Sequence, residues 1–254
     1  MLLLLRLTLV PLLIAVVTLV VRRWGPRAAA FVAALPAVAG PTLGFYAVQQ
    51  GRLFAAHAAE GALLGLVGVA AFCCAYGYAS LRFRWPVCLL TGWLTFGVVT
   101  LTTLHIEVTA VVGLAIAIAA LLFVRWLLPS RASLPNPPPA PAWDLPVRML
   151  SALALVFALT SAAEHLGPTL SGLLTPFPVV TAIVAGFMHA QQGTGAVLRF
   201  LRGYMLGLSS FAIFCFVLAL TLPTRSLATA AAAALAAQLA AQAILLRAVR
   251  ALGH

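Results

Sequence analysis

The sequence predicts an all-α integral membrane protein of about nine transmembrane helices, two inverted four-helix repeats joined by a connector helix in a 4+1+4 plan. Three observations carry this expectation. The 254 residues are 64% hydrophobic and only 7% charged, whereas soluble domains carry about 25% charged residues. No soluble interior hides that much apolar surface, so lipid must be the solvent. Apolar runs of bilayer-crossing length recur along the whole chain. The sequence also matches itself, without a gap, at an offset of 142 residues.

The runs fall at 2–21, 28–49, 54–79, 85–104, 107–128, 146–166, 169–191, 198–222 and 226–249, each near the roughly 20 residues that cross a bilayer. The first run, with Ala28–Ala30 beyond it, has the look of a secretory signal. It is too long for one, and Arg22 and Arg23 follow it rather than precede it, so it reads as a first membrane helix. Residues 85–128 are too long for one crossing, and His105, Ile106 and Glu107 mark the turn between two. Proline crowds the stretch 129–145, which favours an extended polyproline linker over a helix. The expected divisions are therefore 1–104 as the first repeat, 105–128 as the connector, 129–145 as a cytoplasmic linker and 146–254 as the second, inverted repeat.

Lysine is absent, and all fifteen basic residues are arginines. Twelve of them (22, 23, 27, 82, 84, 125, 131, 148, 199, 202, 247 and 250) fall on odd-numbered connections and the C-terminal tail. Only Arg6, Arg52 and Arg225 fall on the other side. The positive-inside rule then puts the N-terminus outside and the C-terminus in the cytoplasm of a bacterial inner membrane. Topology thus accounts for the net charge of +11, and nucleic acid is not an expected partner. Expected partners are the bilayer and a small solute or ion, with a homodimer left open. Cys73, Cys74, Cys88 and Cys215 all sit in apolar runs and read as packing residues.

Between Pro36 and Cys73 the offset yields fourteen identities in 38 positions. They include Pro36/Pro178, Gly44/Gly186, Phe45/Phe187, the QQG triplets at 49–51 and 191–193, and Gly61/Gly203 with Gly65/Gly207. Five helices separate the copies, so an odd count inverts one against the other. Inverted repeats are characteristic of transporters, whose sites lie near the midplane where the repeats meet.

The stretch Leu170–Gly186, with its paired Pro176 and Pro178, resembles the small GlpM-like membrane proteins; Ala34–Gly40 is the matching part of the first copy. The resemblance covers about fifty residues per half. It implies a fused pair of four-helix units and a link to exopolysaccharide production.

Candidate site residues follow from the repeat and from where it breaks. Pro36, Gly40, Pro41 and Pro178 interrupt membrane helices, and the freed carbonyls must find partners or line a wet cavity. The interruptions read either as paired broken helices around a central site or as ordinary kinks. Gln49, Gln50, Gln191 and Gln192 are interfacial helix ends or vestibule walls, and His189 lies just before the second pair. Helices at 61–65 and 203–207 are expected to cross each other through their small residues. His57 and Glu60 occupy the positions that Arg199 and Arg202 take in the second copy. Each pair shares one helix face. The acidic pair suits a proton or cation; the basic pair suits an anion or simply snorkels. His57, Glu60, His105, Glu107, Glu164 and His165 are weak candidates for a metal ring. The bland alternative is solvated loop residues. No cofactor is expected.

These features favour a small-solute or ion transporter working by alternating access. A channel of the dual-topology fluoride type and a non-transporting subunit of envelope or exopolysaccharide assembly remain alternatives. An enzyme is least expected, because no nucleophile–base pair or close carboxylate pair appears.

Overall fold

A computed structural model of the chain describes residues 2–103, 106, 108–130, 141, 143–158 and 178–251. Within them the helices are α1 (Leu2–Ala33), α2 (Ala39–Gln49), α3 (Arg52–Ala79), α4 (Trp85–Thr103), α5 (Ala110–Leu127), α6 (144–158), α7 (Val179–Thr221) and α8 (Leu227–Ala251). No strand occurs among the described residues. Six helices are long and apolar enough to cross a membrane. The chain is an all-helical, multi-pass membrane protein.

Among the described residues eight helical segments stand where nine were expected, because two of them run through anticipated boundaries while the run expected at 28–49 is divided between α1 and α2. In α1 the chain continues across Gly25 (φ 82°, ψ 177°), and in α7 across Gly193 (φ 79°, ψ −179°). One left-handed glycine redirects the chain while the helix resumes at once on either side. In α1 the next residue is Pro26, whose fixed φ suits a helix start. Straight, the 43 residues of α7 would run about 65 Å, twice the hydrocarbon thickness. Instead the side chains of Thr181 and Tyr204, on opposite sides of the bend, come together, so the two arms lie side by side as a hairpin. The helix α6 also starts earlier than expected, at Asp144, inside the stretch read as linker.

The interruption at Pro36 is real. Between α1 and α2, Leu35 N–H bonds Val32 O at 3.1 Å, one residue short of helical register, and Pro36 has no N–H to give. The displaced carbonyls are then served by the far end of the chain. Gln242 Nε2 donates to Phe31 O and Gln238 Nε2 to Ala34 O, each at 3.1 Å and fully inside the protein. In lipid an unpaired carbonyl costs several kcal/mol. Two glutamines a turn apart on α8 supply the missing donors, while their own Oε1 atoms are buried without a partner.

Several features recur at the 142-residue offset. The helix α3 ends at Ala79 and α7 at Thr221; α4 begins at Trp85 and α8 at Leu227. Gly51 (φ 93°) and Gly193 (φ 79°) share the left-handed conformation. A small apolar cluster is made of Val10, Ile14, Ala152 and Val156, flanked by Val38, Val179, Val180 and Ile183. Val10/Ala152, Ile14/Val156 and Val38/Val180 are all offset pairs. The residues that follow Pro36 and Pro178 therefore meet at one place, against α1 and α6.

The main core surrounds α7, which packs on α1, α3, α5 and α8. Its small-residue stripe does not meet the one at Gly61. A Cβ on Gly203 would lie 3.0 Å from Ala30 Cβ, and one on Gly207 would lie 2.7 Å from Ala34 Cβ. The stripe instead admits the second arm of α1, while a Cβ on Gly61 would meet open space.

Candidate functional site

Long-range hydrogen bonds sort the helix ends into two groups. Arg52 Nη1 donates to Arg225 O at 2.9 Å, joining the start of α3 to the turn before α8. At the other end of α3, Tyr78 Oη donates to Leu127 O at 2.8 Å and Ser80 O accepts from Thr194 Oγ1 at 2.9 Å. One end of the molecule thus holds Arg52, Glu60 and Thr109. The opposite end holds Arg22, Ser80, Arg125, Asp144 and Gln191.

At the Glu60 end, His57, Glu60, Gly61 and Leu64 of α3 face Ile106, Val108 and Thr109 across a cavity of about 540 Å³. His57 is exposed and Glu60 half-buried, and both project from adjacent turns of one helix face. A carboxylate and an imidazole on a partly apolar wall can hold a cation or pass a proton. His105, Glu107, Glu164 and His165 lie outside the described residues, so the anticipated ring is not placed. Among the described residues no three His, Cys, Asp or Glu side chains group as metal ligands.

The opposite end holds a buried polar cluster that the sequence did not announce. Asp144, at the first turn of α6, is inaccessible to solvent, as is nearly all of Arg148 one turn on. Arg148 Nε donates to Asp144 Oδ1 at 2.7 Å, and Arg22 Nη2 reaches Asp144 Oδ2 at 2.9 Å from α1. Gln191 completes it, donating to Asp144 Oδ1 at 2.5 Å and accepting from Arg148 Nη2 at 3.0 Å. The Arg148 guanidinium also lies over the Phe187 ring, 4.9 Å from its centroid, a cation–π contact. Asp144 precedes the apolar run that starts at residue 146. Burial alone would raise its carboxyl, but hydrogen bonds from Arg148, Gln191 and Arg22, with the Arg148 charge, outweigh burial and hold it below its ordinary value. Arg148 Nη1 is buried without a partner.

Beside this cluster Arg202 donates to Leu128 O, and Arg125 Nη1 donates to Arg202 O at 3.0 Å. Arg27 lies close enough to Arg125 and Arg199 for their like charges to repel. Deeper in, His189 Nδ1 lies 3.3 Å from Tyr76 Oη with the rings edge to face, so this histidine pairs inside the bundle.

The remaining sequence candidates separate. Pro36 is buried at the interruption between α1 and α2 and Pro178 at the start of α7, and a Cβ on Gly40 would lie 3.6 Å from Pro36 Cβ and from Phe214 Cζ. Pro41, Gln49 and Gln50 are exposed, and Gln192 is half-buried. Gln191 alone of the four glutamines enters the buried network. Asp144 and Arg148 were hidden by the proline-rich context; their i, i+4 spacing was the available signal.

No family model, curated protein or solved structure matches this chain. Function must therefore be argued from the site alone.

Proposed function

We propose that the protein is a small-solute or ion transporter of the bacterial inner membrane, working by alternating access between two inverted repeats. The observation that carries this reading is the apolar cluster of offset pairs, Val10/Ala152, Ile14/Val156 and Val38/Val180, which brings the segment after Pro36 and the start of α7 after Pro178 to one locus. Inverted-repeat transporters place broken helices in this way around a central site. Counting each arm of α1 and α7 as a crossing, with α2 completing the crossing that the second arm of α1 begins, gives nine crossings, with the arginine-rich end in the cytoplasm. The unequal ends support a cycle. The Glu60 end is open as a cavity, while Arg22, Asp144, Arg148 and Gln191 tie α1, α6 and α7 together at the other. Such a closure is a cytoplasmic gate, with Glu60 and His57 as the coupling pair on the outer side. Uptake or efflux in proteoliposomes under an imposed proton or sodium gradient tests this. Gradient-driven flux that Glu60→Gln abolishes supports the reading; no flux for any solute or ion class returns the chain to a structural membrane subunit.

One observation favours a channel of fixed shape. The glutamine clamps on Phe31 O and Ala34 O stiffen the first interruption against α8. Turnover decides between the two: a carrier moves at most about 10³ solutes per second at the pace of μs–ms conformational steps, and a channel far exceeds it.

A further inference from the structure

The arginine-rich end carries more positive charge than the chain itself neutralises. Both ion pairs among the described residues belong to Asp144, with Arg22 and Arg148. Glu60, the other described acid, lies at the opposite end of α3. Arg27, Arg125, Arg199 and Arg202 therefore gather without a carboxylate among the described residues. They come from three helices, α1, α5 and α7, and their placement is built rather than incidental. Gly203 admits the α1 backbone to contact, with Arg27 Cα and Arg27 O each 3.7 Å from the position of a Cβ. The Arg202 guanidinium is anchored on Leu128 O, and Arg125 on Arg202 O. Arg125, Arg199 and Arg202 are half-buried, and Arg27 is exposed. Along the second arm of α7, Arg199 stands about 9 Å and Arg202 about 13 Å from the bend at Gly193.

We infer that Arg27, Arg125, Arg199 and Arg202 form a binding site for a phosphoryl oxyanion, held by several guanidiniums at once. Planar guanidinium forks match tetrahedral oxyanions with two parallel hydrogen bonds each and shed water more readily than ammonium groups. Four like charges fixed together repel, and a multivalent anion converts that repulsion into affinity. The chemistry is shared by a lipid phosphate and a free phosphate, and the two differ in how they arrive. The proposal stands apart from the transport reading, since binding needs no gradient and no flux.

The test uses full-length protein in nanodiscs, read by thermal unfolding, with ionic strength matched by chloride so that screening is constant. In phosphatidylcholine discs, inorganic phosphate at about 100-fold above its Kd raises the Tm of the wild type by about 5 °C or more. Alternatively, discs containing phosphatidylglycerol raise it while inorganic phosphate does not. The first result assigns a soluble oxyanion and the second a lipid headgroup; either supports the site. In Arg27→Gln/Arg199→Gln the response is lost, with affinity at least tenfold lower, while the Tm without either ligand is unchanged or higher because repulsion is relieved. Arg27→Lys/Arg199→Lys keeps the charge and part of the response. No response from the wild type to either ligand overturns the inference. So does an undiminished response in the glutamine variant, or a glutamine variant that melts earlier in phosphatidylcholine alone.

Discussion

The two ends of this protein occupy matching places in the 142-residue offset and carry opposite chemistry. His57 and Glu60 at one end correspond to Arg199 and Arg202 at the other. The first pair lines an open cavity; in the second, Arg202 is pinned to the Leu128 carbonyl between packed helices. Gln49 is exposed, whereas Gln191, at the same place in the second copy, bridges Asp144 and Arg148. Backbone features survive the offset, as Gly51 and Gly193 show, while side-chain chemistry does not. The scaffold is thus common to both copies, and each end has been given its own charge.

The sharpest way to break this comparison is at Asp144. Asp144→Asn leaves Arg148 buried with its counter-ion gone, and removing one partner of a buried pair costs about 3–5 kcal/mol. Denaturant unfolding in detergent should show that loss, and Asp144→Asn/Arg148→Met should recover much of it. Equal stability of Asp144→Asn and wild type would mean that the arginine-rich end is not closed by this network.

At the midplane, Gln238→Leu/Gln242→Leu should cost about 1–2 kcal/mol per lost bond. A smaller loss in the double variant than in either single one would show that the interruption repacks without them. Acid should then separate the ends by pH. The Asp144 carboxyl is held below its ordinary value, so its stabilisation is complete above that value. It is lost only as pH falls through the lower, folded-state value. A stability profile for Asp144→Asn should therefore run parallel to wild type near neutrality and converge on it in strong acid. The smallest structural effect belongs to Glu60→Gln, within about 0.5 kcal/mol at a half-exposed cavity wall. Its effect on gradient-driven flux should nevertheless be complete. Lost folding with retained flux would reverse the roles assigned to the two ends.

Sequence reasoning located the membrane, the interruption at Pro36 and the glycine that ends each QQG, because each rests on local chemistry. Apolarity reports the solvent, a proline removes a donor, and a left-handed turn selects glycine. It divided α1 and α7 into separate helices, since charge and polarity mark where a chain leaves lipid but not whether helix persists through the bend. Asp144 was assigned to the linker for its proline neighbours, although its partner Arg148 stands one turn away. The pairing with Gln191 spans 47 residues and depends on how α6 and α7 dock. The stripe at Gly203 and Gly207 was legible as a close approach, but not as an approach to Ala30 and Ala34, because a small-residue spacing names no partner. The expected ring of His105, Glu107, Glu164 and His165 lies outside the described residues, and only His57 and Glu60 are placed.

The clamp on the first interruption also sets an order of events during synthesis. Gln238 follows the carbonyl it satisfies by 204 residues. At 5–20 residues per second, translation delivers that donor about 10–40 s after Ala34 has left the ribosome. Through that interval the opening hairpin carries exposed carbonyls that lipid cannot serve, so it must wait near the wet insertion channel or borrow a temporary partner. The helix α8 is then the one that releases the first two into the bilayer. A nascent chain cut short before α8 should linger at the insertion machinery and be degraded, even though every earlier crossing is already complete.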